Sequence, residues 1–376
     1  MRVAVIHPWF PHYREAFFRE LHARGAQAGI DIDIYCGETP PEWKDRNDTA
    51  SDANVTVLPT RFLGLGSRNV SLKSIAPVAR KGPYDLVVLE HAVRNLETYP
   101  ILARRGTIAA SVAYWGHGRT YTQASSGLQE AVKRVMARRC AWFFAYTEGG
   151  AAAVREAGRS GGRTTVLNNS IDTTELRRDL DAVEPSEVEA LERRFDLQGR
   201  TALFIGGLDP SKRVEFLLDA AERAAAHDPG FRLLIAGAGS QAALVEAAAK
   251  DSRAVGYLGP VFGREKAAAM RAAQVMAMPG RVGLVAVDSL VAELPIVTTD
   301  WRWHAPEFEY LENGRNSVIA SDSLEDYARA LVRTLGDAAF LTSARAACRQ
   351  DASDITVARM AERFVEGLLE WDRQRA

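Results

Sequence analysis

The sequence has few cysteines, almost no excess of charge and no long apolar run, and each shortage excludes a class of protein. Three cysteines occur among 376 residues, far apart and without CxxC spacing. This arrangement argues against a disulfide framework and a thiolate zinc site. The 47 basic and 48 acidic side chains leave a net charge of -1, so no global field draws the chain to nucleic acid. We expect neither a nucleic-acid partner nor a bound metal.

The apolar segments are too short for a membrane span or a secretory signal. The longest uncharged stretch of interest, residues 106–118, falls below the roughly 20 residues that a bilayer core requires. The first apolar run, Val3 to Ile6, stops at His7 and Pro8, short of the about 7 to 15 residues of a signal core. These features predict a cytoplasmic protein.

Contact with the cytoplasmic face of a membrane stays open as an alternative. A predicted helix over Ser125–Arg139 ends in four cations, namely Lys133, Arg134, Arg138 and Arg139. Such a basic helix suits a lipid surface. Cations at a helix C-terminus also stabilise the helix dipole without any lipid, and this is the better explanation from sequence alone.

The sequence contains short apolar runs that alternate with segments of helical period, which is typical of βαβ units around a parallel sheet. In the first half, strands are predicted at Arg2–Ile6, Ile30–Tyr35, Val55–Leu58, Leu86–Leu89, Ile108–Trp115, Trp142–Tyr146 and Thr164–Leu167. Helices are predicted at Arg14–Arg24, Asn69–Arg80, Ser125–Arg139 and Glu148–Ala157. In the second half, strands are predicted at Ala202–Ile205, Arg232–Ile235, Ala254–Tyr257, Val275–Met278, Ile296–Thr298 and Ser317–Ile319. The prediction is an α/β protein with two doubly wound domains.

A charged stretch, Asp172 to Gly199, separates the two halves, and we interpret it as a linker followed by a helix. The domain boundary is predicted at 171/172. A last amphipathic helix, Thr356 to Trp371, needs a surface to pack against because Met360, Phe364 and Leu368 share one face.

Polar residues directly after strands are the first candidates for chemistry, since ligands bind beyond the carboxyl ends of parallel strands. Gly206, Gly207 and Lys212 follow the strand Ala202–Ile205. Glycines allow close backbone approach and a lysine at a helix start adds a mobile cation, a combination suited to phosphate. On this segment alone, a plain turn with a solvated lysine is the slightly better explanation.

A second candidate follows the strand Val275–Met278. The amides of Gly283 and Leu284 would open a helix and favour a diphosphate, with Arg281 as a clamp and Asp288 as an acceptor for ribose hydroxyls. A buried helix entry with one surface arginine is an equally good explanation.

The first half offers two further candidate sets. His117 lies between two glycines directly after a strand, and His91 follows another strand, so each could serve as a proton acceptor or carbonyl donor. The loop from His7 to Arg14 carries Trp9, Tyr13 and Arg14, whose aromatic faces would suit a sugar. A lone histidine is more often structural, and aromatics that close the top of the core explain the loop equally well.

Several tempting motifs lack their required context. Gly237-Ala238-Gly239-Ser240-Gln241-Ala242 fits GxGxxA, but no acidic residue follows about 20 positions later, so a nicotinamide site is weakly indicated. Asp31-Ile32-Asp33 lies within a strand alternation, and the histidines have no ligand spacing. P-loop and GxSxG motifs are missing.

These residues resemble a known group, the retaining nucleotide-sugar glycosyltransferases of the GT-B fold, family 4 type. The resemblance is strongest over Thr201 to Ile319, in the segments FIGGLDPSKRVEFLLDA, LLIAGAGS, VGLVAVDSLVAELPIVTTD and HAPEFEYLENGRNSVIA. The segments VVLEH, SVAYWGHG, YTEGGAAAVREAG and VLNNSID are collinear in the first half. The resemblance therefore covers nearly the whole chain.

The resemblance implies two Rossmann-like domains that face a central cleft, with the final helix crossing back. Residues 1–171 and 356–376 would bind the acceptor, and residues 172–355 the nucleotide sugar. Catalytic roles fall to His117 and Lys212. Donor binding would involve Gly206, Gly207, Lys212, Arg281, Gly283, Leu284 and Asp288, and acceptor binding Trp9, Tyr13, Arg14 and His91.

The implied reaction moves a sugar from a UDP- or GDP-sugar, with retention, to a saccharide, lipid-linked or small-molecule acceptor. The nucleotide sugar would be a co-substrate, and no cofactor is expected. Electrostatic stabilisation of the leaving diphosphate would be the main task, without a protein nucleophile.

Three positions depart from the family pattern. Gly207 replaces an arginine, for which Arg213 or Arg281 is a substitute. Gly280 and Asp288 stand at the E-x7-E pair, and HPWFPHYR replaces a Gly-Gly loop. A catalytically silent nucleotide-sugar-binding protein and a GT-B sugar-nucleotide epimerase are the alternative functions.

Overall fold

The computed structural model describes residues 1–41, 49–65, 68–104, 106–121, 127–158 and 161–375. The chain divides into two compact units. The first comprises Met1–Asp172 and Val357–Ala376, and the second comprises Thr173–Thr356. The boundaries predicted from the sequence differ from these by one residue.

The first unit is built on a seven-stranded sheet in the order β3-β2-β1-β6-β7-β8-β9, with every pair parallel. Its strands are β1 (Arg2–His7), β2 (Asp31–Gly37), β3 (Val55–Leu58), β6 (Tyr84–Glu90), β7 (Ala109–Gly116), β8 (Phe143–Ala145) and β9 (Thr164–Val166). The order reverses between β1 and β6, so the carboxyl ends beside this point form the switch point where doubly wound sheets bind ligands.

A hairpin and six helices complete this unit. The hairpin pairs β4 (Thr60–Leu65) with β5 (Arg68–Lys73) in antiparallel fashion. The helices are α1 (Glu15–Gln27), α2 (Ala76–Lys81), α3 (Thr98–Ala103), α4 (Gly127–Arg139), α5 (Glu148–Glu156) and the final helix α14 (Val357–Arg375).

The structure corrects one predicted helix in this unit. Asn69–Arg80 is not one helix, because its first part forms strand β5 and only its end forms α2. The hairpin and α3 were not predicted. Residues 125 and 126 of the helix predicted over Ser125–Arg139 lie outside the described residues.

The final helix completes the core of the first unit. Phe364 stacks on Phe144 of β8 with ring centroids 4.1 Å apart, and it contacts Phe17 of α1 and Trp115 of β7. Gly367 permits this approach, since a Cβ atom there would lie 2.4 Å from Thr165 Oγ1. Burial of each large apolar side chain contributes about 1.5–3 kcal/mol, which explains the apolar face predicted for this helix.

The second unit is built on a six-stranded parallel sheet in the order β12-β11-β10-β13-β14-β15. Its strands are β10 (Thr201–Ile205), β11 (Arg232–Ala236), β12 (Val255–Gly259), β13 (Val275–Met278), β14 (Ile296–Thr299) and β15 (Ser317–Ala320). Its helices are α6 (Thr174–Ala182), α7 (Pro185–Phe195), α8 (Val214–His227), α9 (Ala242–Asp251), α10 (Gly263–Ala272), α11 (Val285–Val291), α12 (Leu324–Gly336) and α13 (Ala338–Ala352). The six strands agree with the predicted ones within two residues.

The predicted linker is the second correction. Residues 174–182 form helix α6, which packs on α10 and buries Leu176 and Leu180. The guanidinium of Arg271 donates to the Leu180 carbonyl over 3.1 Å. The charge of this segment reflects the exposed face of a helix, so the second unit starts with two helices.

Candidate functional site

The turn after β10 brings Lys212 back over the end of its own strand. Asp209 accepts a hydrogen bond from the Ser211 amide over 2.9 Å and fixes a short 3-10 turn, Pro210–Lys212. The Lys212 side chain then runs along Gly206, and its Nζ donates to the Arg281 carbonyl over 2.6 Å. The pKa of Lys212 is lowered from 10.5 to about 8, chiefly by burial. The charge of Arg281 also lowers this pKa, whereas the carboxylates of Asp209 and Glu307 raise it.

The turn after β13 packs directly on that first turn. A Cβ atom at Gly280 would lie 2.5 Å from the Lys212 carbonyl carbon and oxygen. The Arg281 amide donates to the Ser211 carbonyl over 2.9 Å. Burial lowers the pKa of Arg281 as well. The two turns predicted to hold a diphosphate are therefore one connected unit, with two partly desolvated cations.

A third turn explains the GxGxxA sequence without a dinucleotide. A Cβ atom at Gly237 would lie 1.9 Å from the Gly206 carbonyl oxygen, and one at Gly239 would lie 2.4 Å from that of Leu208. Backbone hydrogen bonds join the same turns, from the Leu208 amide to the Ala238 carbonyl and from the Gln241 amide to the Leu208 carbonyl. These glycines are required because the two turns touch.

Glu307 is a second carboxylate of this cluster, beside Asp209. It is buried, and its negative charge partly offsets the lowering of the pKa of Lys212 and of Arg281. Its Oε2 lies close to Gly283, where a Cβ atom would be 3.9 Å away. A carboxylate beside two cations and the first amides of α11 can accept hydrogen bonds from a ligand whose charge the cations bind.

His304 holds the turn after β13 in place. Its Nδ1 accepts from the Val282 amide over 3.1 Å, so its Nε2 carries the proton and donates to the Thr299 carbonyl over 2.9 Å. The ring stacks on Phe308 with centroids 4.0 Å apart. Burial lowers the pKa of His304 to about 4, and Arg281 and Lys212 lower it too. His304 is a neutral positioning residue.

Asp288 and Arg213 have partners elsewhere. Asp288 lies on α11 and accepts from Lys266 Nζ over 2.8 Å. Arg213 forms an ion pair with Asp322, donates to the Pro279 carbonyl and stacks on Phe216. The Arg281 guanidinium donates to the Trp303 carbonyl over 3.4 Å. The prediction that one of these two arginines compensates for Gly207 stays a prediction. Gly207 itself lies beside the Asp209 carboxylate.

In the first unit, His117 is exposed at the carboxyl end of β7. Its ring lies on Tyr146 with centroids 4.6 Å apart. Gly118 follows with a φ of 70°, and a Cβ atom there would lie 2.2 Å from the Gly150 carbonyl oxygen. Only glycine fits this close approach to the start of α5. The loop leaves His117 exposed, and its role in the reaction stays a prediction.

Arg14 is a buried cation surrounded by aromatic rings. Its guanidinium carbon lies 5.2 Å from the Trp115 ring centroid, 5.5 Å from that of Tyr146 and 5.1 Å from that of Tyr13. Only 2% of the residue is exposed, and its Nε has no hydrogen-bond partner among the residues that the structure describes. Because a buried donor without a partner costs about 1–3 kcal/mol, this arrangement needs an explanation beyond packing.

Two of the predicted acceptor residues are core residues. The His91 ring is buried against Tyr114 and Phe143, and its Nε2 bonds to the Lys133 carbonyl over 2.9 Å. Burial lowers its pKa to about 4. Trp9 is buried, and its carbonyl accepts from His7 Nδ1 over 2.7 Å. Tyr13 is 37% exposed, whereas Arg14 at 2% is at least as buried as Trp9 and His91, each at 5%. Of these four residues Tyr13 alone is exposed, and the acceptor-binding roles stay predictions.

The sequence reasoning did not select Glu307 or His304. Both lie in HAPEF, a segment that carried the family resemblance through its Pro-Glu pair. That Pro-Glu pair was the feature of the sequence that could have pointed to Glu307. Within the described part of the chain, no group of three metal-ligating side chains comes together, and no helix there is long and apolar enough to cross a membrane.

Comparison with known proteins agrees with this geometry. Residues 199–337 match the family model described as Glycosyl transferases group 1. A phosphatidyl-myo-inositol mannosyltransferase of Mycolicibacterium smegmatis is 29% identical over 171 residues, 44% of each chain. A D-inositol 3-phosphate glycosyltransferase of Mycobacteroides abscessus is 31% identical over 140 residues, 34% of this chain and 31% of that one. The chain thus matches less than half the length of these relatives.

Solved structures extend the likeness to the whole chain. HepE of Anabaena in complex with UDP has a TM-score of 0.67 at 16% identity and covers 98% of this chain and 100% of its own. The sucrose-phosphate synthase of Thermosynechococcus elongatus has a TM-score of 0.67 at 14% identity, with full coverage of both chains. The predicted fold class, two Rossmann-like α/β domains of GT-B type with a helical C-terminal segment, is confirmed.

Proposed function

We propose that this protein is a glycosyltransferase that moves a sugar from a nucleotide diphosphate sugar to an acceptor hydroxyl with retention of configuration. The observation that carries this proposal is the cluster of Lys212, Arg281 and Glu307 beside the start of α11. The match of residues 199–337 to Glycosyl transferases group 1 supports it, as do the UDP and UDP-glucose complexes of HepE.

The cluster suits the leaving diphosphate. In the reaction, the bond between the sugar anomeric carbon and the diphosphate oxygen breaks, and the acceptor oxygen bonds to that carbon on the same face. The acceptor proton passes to the departing diphosphate. Lys212 and Arg281 are already partly desolvated, so they stabilise the developing charge without reorganisation of water. The amides of Gly283 and Leu284 add donors at the start of α11.

The position of Glu307 favours a catalyst over a silent binding protein. Gly280 lacks the acid that its family position usually carries, yet a side chain there would collide with Lys212. Glu307 supplies a carboxylate within the same cluster, where it can accept hydrogen bonds from donor-sugar hydroxyls. The site therefore still contains an acidic side chain, although position 280 is a glycine.

The acceptor side of the reaction is assigned to the first unit. His117 is exposed at a strand end and lies on Tyr146, which also contacts Arg14. A buried guanidinium that forms no ion pair with a carboxylate of the described residues favours an acceptor with a negative group near its reacting hydroxyl. The names of two relatives, one acting on a phosphatidyl-inositol and one on an inositol phosphate, fit an acceptor of this kind. No resident cofactor is part of the proposal.

A thermal-shift panel tests the donor first. UDP, GDP, dTDP and CDP, several of their sugars and NAD as a control would be added to the protein, since a ligand of the folded state raises its stability. A selective rise with one nucleoside diphosphate supports the proposal and names the base. A rise with NAD alone, or no rise, contradicts the donor site.

Transfer assays then test the residues. Lys212→Ala is expected to lower kcat/KM by about 100-fold or more, by analogy with loss of one charge-stabilising donor. Lys250→Ala removes a lysine from the exposed end of α9 and is the matched control. Near wild-type rates in both Lys212→Ala and His117→Ala would refute the site assignment.

A further inference from the structure

An apolar cavity lies in the first unit, and none of the residues that line it is assigned to the donor or the acceptor. Its volume is about 480 Å³, and it is lined by parts of α3, α4 and β7. The deepest lining residues, Val112, Tyr114, Met136 and Cys140, are each at most 7% exposed. This size is within the range of small-molecule sites, about 300–1,000 Å³.

The mouth of the cavity is also apolar, although it faces solvent. Tyr99 and Val135 line it and are 41% and 45% exposed. Leu128 lies two helical turns before Val135 on α4, so both residues share one face, and it is 76% exposed. Contact of water with an apolar cavity and its apolar rim is unfavourable, so such a surface is expected to be covered by a partner.

One cation lines this cavity, and two more lie on the same helix. Arg139 lines the cavity, and Arg134 and Arg138 are exposed on the same helix. None of the three forms an ion pair with another residue of the described chain. The opening therefore combines an apolar interior, an apolar rim and unpaired positive charge.

We propose that this cavity binds one acyl chain of an anionic membrane lipid, with α4 lying against the lipid surface. Hydrocarbon fits the interior, Leu128 and Val135 enter the acyl boundary, and the three arginines contact phosphate groups. A protein partner explains the rim but not a deep hydrocarbon-sized cavity beside three cations. Stable membrane contact by α4 then needs both the acyl chain in the cavity and the contacts of the arginines with phosphate, since one anchor alone gives weak, reversible binding.

This inference goes beyond the proposed function, because none of the lining residues belongs to the Lys212, Arg281 and Glu307 cluster. The two can fail separately. A protein that binds a nucleoside diphosphate but no lipid would retain the donor site and lose this inference. A protein that binds lipid but no nucleotide would retain this inference and lose the donor site.

The test uses the whole protein and vesicles of phosphatidylcholine with and without phosphatidylglycerol. Ala131→Phe fills the cavity and leaves every cation in place, whereas Arg138→Ala/Arg139→Ala removes charge and leaves the cavity open. Ala243→Phe on exposed α9 and Arg155→Ala on α5 are the matched controls. Melting temperature and nucleotide response show that each variant is folded.

The expected result is binding that requires phosphatidylglycerol. Ala131→Phe should lower the partition coefficient by about tenfold or more, and each arginine lost by about fivefold. Native mass spectrometry should show one phosphatidylglycerol on the wild type and on both controls, and none on Ala131→Phe. Equal binding by Ala131→Phe and wild type would mean that charge alone holds the protein on the vesicles, and this would overturn the proposal. A protein that binds neither kind of vesicle would overturn it as well.

Discussion

Gly280 lies against the backbone of Lys212, so closely that a Cβ atom at position 280 would be 2.5 Å from the Lys212 carbonyl. The contact joins the two turns that carry the cations of the candidate donor site. It also leaves no room for a side chain at position 280, where the resemblance placed an acidic residue. The geometry of Lys212 depends on the smallest residue in the neighbouring turn.

Gly280→Ala should therefore displace Lys212 and lower stability. Overpacking of this kind costs about 1–3 kcal/mol, and the moved cation should weaken nucleoside diphosphate binding by about tenfold. Urea unfolding and calorimetric titration measure the two effects. Gly336→Ala, where a Cβ atom meets no other atom within 4 Å, should change neither. Gly280→Glu, which restores the family acid, should be worse than Gly280→Ala and not better.

Lys212 should couple nucleotide binding to proton uptake. Its pKa of about 8 in the folded protein lies below the ordinary lysine value of 10.5. Between these two pH values the unfolded chain binds more protons, so the free protein gains stability as pH rises. A bound diphosphate favours the charged amine and raises its pKa. Calorimetry at pH 8–9 in buffers of different ionisation enthalpy should show proton uptake in the wild type. Persistence of that uptake in Lys212→Met would assign it to another group.

Arg14→Met should separate function from stability. The substitution removes a buried cation whose Nε lacks a hydrogen-bond partner, so the free energy of unfolding should stay the same or rise. Transfer should fall mainly through a higher KM for the acceptor, with the donor KM unchanged. A large loss of stability with normal acceptor kinetics would show that Arg14 is purely structural.

Buried neutral histidines should make the protein sensitive to acid. Burial lowers the pKa of His91 from 6.5 to about 4, so its contribution to stability is present above pH 6.5 and is lost as pH falls toward 4. The loss amounts to about 3 kcal/mol. His91→Gln should flatten the pH dependence of unfolding over this range. The exposed His12→Gln should leave the slope unchanged, and an unchanged slope in His91→Gln would contradict the assignment.

The positions of the sheet strands along the chain could be predicted closely, whereas the hairpin could not. Runs such as ALFI and LVVL are apolar throughout because both faces of a parallel sheet are buried. The hairpin is different, since β5 forms through pairing with β4 and its apolar residues are few. Val70 is buried, but Leu72 is 36% exposed. Without a continuous apolar run, residues 69–80 had the pattern of a helix.

The sequence by itself determined the two doubly wound units, the glycine turns after β10 and β13, and Lys212 as the cation of the first turn. Those features follow from local pattern, because strand, turn and helix are encoded by neighbouring residues. Tertiary structure alone decided that Glu307, 95 positions after Lys212 (307 − 212), lies within its electrostatic reach, and that His91 faces the core. Distance in space and the direction of a side chain depend on packing between segments, which spacing along the chain does not specify.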